Sequence, residues 1–164
     1  MKYTDFLKNL DKRLEKYFEL HKEYVCCKKG CSFCCEKGDY PLSQAELEYI
    51  MIGFSKLNDQ QKIKVQKNIK LIQKSGKCPF LINKECAIYQ FRPIICRVHG
   101  LAYLCKENMV KVPYCVNNNK NYAKVFDDGQ ININPIAENL DTSAIIKNLS
   151  FGEIRNLTEW INNI

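Results

Sequence analysis

The sequence predicts a mostly α-helical chain with short irregular and β-hairpin segments, folded as a small single domain over residues 1–164. Three observations predict it. Apolar residues recur at helical spacing in long stretches at both ends of the chain, helix-cap signals bracket several of them, and the periodicity breaks into short elements after Gly76. With 164 residues, 46% hydrophobic and 26% charged, the chain suits one core of ordinary size.

The elements follow in order. From Thr4 to Tyr24, Phe6, Leu7, Leu10, Leu14, Tyr17, Phe18 and His21 fall on one helical face, where His21 is read as a packed ring before it is read as a ligand. Ser43 and Glu46 form a capping box, with Leu42 and Leu47 as its staple, and open a second helix that buries Leu47, Ile50, Met51, Phe54 and Leu57. A third opens at Asn58 or Asp59 and ends at Gly76, with a less clean apolar pattern.

Beyond it, Phe80 to Ile82 reads as extended, with a turn at Asn83-Lys84-Glu85. Pro93 suits the first turn of a short helix carrying Cys96. Hairpins are expected across Lys106-Glu107-Asn108 and Asp127-Asp128-Gly129. Ser150 with Glu153 predicts a last capping box, and a helix that turns Ile154, Leu157, Trp160 and Ile161 inward.

Composition narrows the function. The stretch from Met1 to Lys16 has no apolar core of signal-peptide type, and no later stretch has the length of a membrane span, so a cytoplasmic protein without a membrane role is expected. Thiol pools there keep cysteines reduced, which disfavours a disulfide framework for the ten cysteines. The formal charge of +7 comes from scattered lysines without a basic stripe interleaved with aromatics, and so disfavours nucleic acid as a partner. Ligating thiolates would also offset part of that charge.

The cysteines therefore read as ligands of a metal centre about which the domain is organised. On a helix, Cys27, Cys31, Cys34 and Cys35 would share an arc of about 100°, with Cys26 outside it. A helix would also set Cys27 and Cys35 about 12 Å apart along its axis, too far for one tetrahedral ion. The segment is then either a loop that bends at Gly30 or the supplier of more than one centre. The adjacent pair Cys34-Cys35 favours the latter, because neighbouring side chains diverge on a regular backbone. Cys78, Cys86 and Cys96 add ligands, and Cys105 is the best eighth, ahead of Cys115. His99 is a weaker candidate. Soft thiolates exclude calcium and magnesium and leave an iron-sulfur cluster or zinc, with iron-sulfur slightly favoured.

The run Cys27-Lys28-Lys29-Gly30-Cys31-Ser32-Phe33-Cys34-Cys35, then Cys78-Pro79-Phe80-Leu81, then Cys86 through Arg92-Pro93 to Cys96-Arg97, resembles the YkgJ-type cysteine-cluster family, the zinc- or iron-chelating CxxCxxCC domain. The likeness covers residues 27–105 and implies a metal site more than any activity. Ser32-Phe33 departs from it, standing where the family often carries glycine. Arg92 and Arg97 lie inside the matched motif, where a guanidinium offsets thiolate charge and donates to sulfur, so both are expected to contact the bound cofactor.

Three functional classes follow: an electron-transfer or redox-sensing iron-sulfur protein, a zinc-stabilised module that binds a protein partner, and a metal-dependent enzyme of redox or methyl transfer. The chain shows no Gly-rich nucleotide loop and no nucleophile elbow, which weakens the third.

Overall fold

The structure is a computed structural model that describes residues 2–162. Among them are α1 (Tyr3–Leu20), β1 (Pro41–Ser43), α2 (Gln44–Ser55), α3 (Asp59–Ser75), β2 (Leu81–Ile82), β3 (Glu85–Cys86), α4 (Ile94–Val98), β4 (Tyr103–Leu104), β5 (Val110–Lys111), β6 (Phe126–Asp127), β7 (Gln130–Ile131), α5 (Thr142–Asn148), β8 (Ile154–Asn156) and α6 (Leu157–Asn162). The strands pair two by two and antiparallel, β1 with β8 and the rest with their neighbours in sequence. Among the described residues no helix is long and apolar enough to cross a membrane. The fold is the expected mixture of helices and small strand pairs, divided into two compact units: Met1–Cys27 with Arg97–Ile145, and Lys28–Cys96 with Ile146–Ile164.

In the first unit α1 buries Leu7, Leu10 and Leu14 from the predicted stripe. His21, just past the helix, is buried too. The Tyr122 hydroxyl accepts from the Ala102 N–H at 3.0 Å and lies in hydrogen-bond reach of His21 Nδ1 at 2.8 Å. Burial lowers the His21 pKa, in keeping with a neutral packed ring. Tyr122 also anchors a small core with Ala102 and Val116. Both expected hairpins form: β4 pairs β5 across Lys106–Asn108, and β6 pairs β7 across Asp128-Gly129, whose positive φ values of 44° and 81° suit a tight hairpin turn.

The second unit is built on α2 and α3; the predicted capping box of Ser43 with Glu46 is present, and the expected helix start at Asn58 carries a further one, Asn58 with Gln61. Gly76 closes α3 in the left-handed conformation at φ 62°, open to glycine at no steric cost. Glu46 does more than cap. Fully buried, its carboxylate accepts from the Ser43 N–H and hydroxyl, both at 2.8 Å, and from the Ile94 N–H at 2.9 Å. One side chain thus joins the start of α2 to the start of α4. Gly53 of α2 lets Phe91 approach so closely that an added Cβ would lie 2.7 Å from its ring.

The C-terminal reading needs correction. Ser150 has φ 51° and caps nothing; Ile154–Asn156 is strand β8, paired in register with β1, and the helix starts only at Leu157. The capping carboxylate is that of Glu159, which accepts the Asn156 N–H at 3.0 Å. Pairing with residues more than a hundred positions earlier overrides the local signal. Leu157 and Ile161 do turn inward. Helix α5, which the apolar pattern did not announce, starts where Asp141 accepts from the Ser143 and Ala144 N–H groups.

Replacing Glu46 by Gln puts an amide N–H₂ among three donors and should cost roughly 1–3 kcal/mol, read as a lower denaturant midpoint with an unchanged slope.

Candidate metal centre

The segment that opens the motif is not a helical face. No helix runs through Cys26–Ser32; a turn closes with the Cys31 N–H on the Lys28 carbonyl at 2.9 Å, and Gly30 bends the chain at φ 93°. The backbone is the bending loop that the sequence allowed, with Gly30 at the bend. Cys27 belongs to the first unit, and Cys31, Cys34 and Cys35 to the second.

Cys34 and Cys35 lie on a 3₁₀ turn, Phe33–Lys37. Their Sγ atoms are 4.0 Å apart, so this pair does not diverge as a regular backbone would make it. The spacing is close to the ~3.8 Å that two ligands of one tetrahedral ion span with bonds near 2.3 Å. A tight turn of this kind supplies the unusual backbone that adjacent ligands require.

The turn is set against the loop that follows α3. The Gly38 N–H donates to the Gly76 carbonyl at 2.9 Å and the Cys78 N–H to the Cys35 carbonyl at 2.8 Å. Gly38 is essential to this approach, since a Cβ there would sit 2.5 Å from the Cys78 nitrogen. Asn68 of α3 holds the next residues by donating to the Pro79 and Leu81 carbonyls at 3.0 and 3.1 Å. Cys86 ends the β2–β3 hairpin, whose turn at Asn83 and Lys84 has φ of 52° and 64°. Cys96 rides on α4, the helix that Glu46 caps.

These five cysteines lie within one electrostatic neighbourhood. Burial pushes the Cys78 thiol up to about 12, with the charges of Cys86 and Cys34 adding to it. Burial likewise raises Cys86 and, much further, Cys96. Cys35 is raised by its hydrogen bond to Cys34 and then by burial, while that same bond holds Cys34 down. Arg92 is the cation among them, favouring the thiolates of Cys34, Cys86 and Cys96. Its guanidinium is fixed by Nε to the Tyr89 carbonyl at 3.0 Å, by Nη1 to the Cys96 carbonyl at 3.5 Å, and by stacking 3.7 Å above the Tyr89 ring.

Arg97, by contrast, is buried in the first unit with its Nη1 between the carboxylate oxygens of Asp11, at 2.7 and 2.6 Å. Cys105 sits in the β4–β5 hairpin, its N–H on the Met109 carbonyl at 2.7 Å. Cys115 is buried, and its charge is felt with that of Cys27 at Tyr122. His99 packs edge-on against Tyr114, and burial lowers its pKa. Among the described residues no three His, Cys, Asp or Glu side chains stand as a group that could hold a metal ion as they lie. The donor set of the second unit fits a thiophilic metal by its chemistry: soft, neutral sulfurs that exchange a proton for a cation.

Gly38 and Asn68 are absent from the sequence reading, and Glu46 enters it only as the capping-box partner of Ser43. Gly38 carried a signal, as a glycine three residues past the cysteine pair; Asn68 and the bond of Glu46 to Ile94 carried none, because their partners lie outside their own local sequence.

Two outcomes are expected. Gly38→Ala should push the Cys78 loop away, cost about 1–3 kcal/mol and lower bound metal per chain. In the metal-free protein, between the ordinary thiol value of 9.0 and the raised values of Cys78, Cys86 and Cys96, the folded chain keeps protons that the unfolded chain has released. Stability should therefore fall as pH rises above that ordinary value, and metal loading should flatten the fall, as thermal unfolding across pH would show.

Residues 26–126 match a family model, CxxCxxCC, described as a "Putative zinc- or iron-chelating domain". Comparison with curated proteins and with solved structures finds no match. The interval from Cys27 to Cys31 is one residue longer than the family's name prescribes, and the two that follow, Ser32-Phe33 and the adjacent pair, agree with it. The match spans more than half of the chain, and the chain belongs to the CxxCxxCC family of zinc- or iron-chelating domains.

Proposed function

We propose that this is a thiolate-ligated iron-sulfur protein that transfers electrons or senses redox state, with Cys34, Cys35, Cys78, Cys86 and Cys96 as the pool from which its ligands are drawn. The observation that carries the reading is the gathering of these five thiols beside one fixed cation, Arg92. An iron-sulfur cluster on four thiolates is anionic, and a fixed guanidinium within its field raises the reduction potential and offsets the charge. When bound, such a cluster supplies one-electron chemistry; the chain supplies burial, sulfur and the Arg92 charge. Cys31, in the same unit, is the nearest further ligand in sequence.

A zinc-stabilised interaction module is the second reading. The 4.0 Å spacing of Cys34 and Cys35 favours it, because one tetrahedral ion takes two ligands at that distance. In this reading the metal substitutes for core and contributes on the order of 10 kcal/mol of apparent binding energy.

An anaerobic ultraviolet-visible spectrum with iron, zinc and sulfide quantitation separates the two. A charge-transfer band that bleaches with dithionite, together with stoichiometric acid-labile sulfide, is expected. Zinc without sulfide in protein prepared anaerobically from iron-replete cells would remove the iron-sulfur reading. With a cluster present, Arg92→Gln should lower its potential, and Arg92→Lys should restore part of the shift.

A further inference from the structure

The lysines that look scattered along the sequence are gathered by the fold. The second unit carries 14 of the 25 lysines and arginines and 8 of the 18 acids, so +6 of the formal +7 lies there. Helix α3 alone holds Lys62, Lys64, Lys67, Lys70 and Lys74 against a single acid, Asp59 in its first turn. Among the described residues none of these five lysines is in an ion pair.

The helix repeat sets where they point. At about 100° per residue, Ile63, Lys64, Lys67, Lys70, Leu71 and Lys74 fall within an arc of about 120°, and all six are exposed. Val65, Ile69 and Ile72 on the opposite side join the core of the second unit. Asn68 beside them ties the Cys78 loop to the helix through the Pro79 and Leu81 carbonyls. The outer face is therefore free of any structural duty, yet it keeps Ile63 64% and Leu71 44% exposed among its lysines.

The make-up of this face selects among anionic partners. Protein interfaces draw their anchors from tyrosine, tryptophan and arginine, and nucleic-acid faces from arginine forks and stacking rings. None of these residues stands on the arc. Lysine ammonium groups are point charges suited to a diffuse field of headgroups, and their stems lie along apolar surface while the charge stays wet. Two aliphatic side chains among them gain most where an apolar layer lies just beneath the anionic one.

We propose that the outer face of α3 seats the second unit on bilayers that carry anionic phospholipid, with Lys64, Lys67, Lys70 and Lys74 among the headgroups and Ile63 and Leu71 entering the acyl boundary. Such a face lies on the membrane and needs no spanning helix. Helix α3 then stands between the bilayer and the Cys78 loop.

The test sediments the full chain, with its metal as purified, on sucrose-loaded vesicles of phosphatidylcholine alone or with about 30% phosphatidylglycerol. Partitioning onto the mixed vesicles should exceed that onto phosphatidylcholine at least about tenfold, and should weaken as salt is raised. Lys67→Gln with Lys70→Gln should lower it about 25-fold, at about fivefold per lysine. Lys8→Gln with Lys12→Gln, the same loss of charge from the first unit, should leave it within about twofold. Ile63→Ser with Leu71→Ser, which leaves the charge alone, should lower it at least about tenfold. All of these positions are exposed, so metal content and circular dichroism should be unchanged in each variant. No preference for the mixed vesicles, an equal loss in the Lys8 and Lys12 variant, or full binding by the Ile63 and Leu71 variant would overturn the proposal. So would tighter binding to a short DNA duplex or to poly-L-glutamate than to the mixed vesicles, which would give the face to a different partner. Vesicle binding does not depend on which metal the thiols hold, so the proposal and the iron-sulfur reading fail separately.

Discussion

The buried carboxylate of Glu46 is the interaction on which the second unit depends. It accepts three hydrogen bonds, two from Ser43 at its own helix start and one from Ile94, forty-eight residues later. The latter fixes the first turn of the short helix that carries Cys96 and begins two residues after Arg92. A carboxylate this deep is expensive to bury, and burial raises its pKa. Its worth is positional. Without it, a five-residue helix has little of its own to hold it in place.

Around that anchor, backbone contacts bring the sulfurs in from separate stretches of chain. Gly38 admits the Cys78 loop, Asn68 ties that loop to α3, and a left-handed turn at Asn83-Lys84 returns the chain so that Cys86 pairs with Leu81. The result opposes ordinary core logic: several thiols are gathered where burial, with the charges of neighbouring sulfurs adding to it, raises the pKa of Cys78, Cys86 and Cys96. Such crowding makes chemical sense when a cation is to replace the protons. Arg92 supplies part of that charge in advance, and its stacking on Tyr89 fixes where the charge lies.

Much of this was legible in the sequence, and the divisions have physical causes. The capping box at Ser43, the helix start at Asn58, the glycine stop at Gly76, and the turns around Lys84, Glu107 and Gly129 were all readable because each is settled by residues within a few positions of itself. The Ser150 box had the same local form and failed, because β8 finds its partner in β1. The helical arc of Cys27, Cys31, Cys34 and Cys35 failed for a related reason: spacing alone cannot tell a helix from a bending loop, and Gly30 takes the loop. Asn121 was invisible within an asparagine- and lysine-rich run, since the partners of its amide are Cys26, Cys27 and Gly100. Arg92 and Arg97 looked alike in the motif and ended in different units, one among the thiols and one on Asp11.

The central claim is that metal is held by sulfur of the second unit. Anomalous diffraction from crystals of the metal-loaded protein, collected at the iron and zinc edges, tests it most directly. The account predicts an anomalous peak within bonding distance, about 2.3 Å, of sulfurs drawn from Cys34, Cys35, Cys78, Cys86 and Cys96. A fully occupied metal bound by Cys26, Cys27 and Cys115, with no anomalous peak at the five thiols, would contradict it.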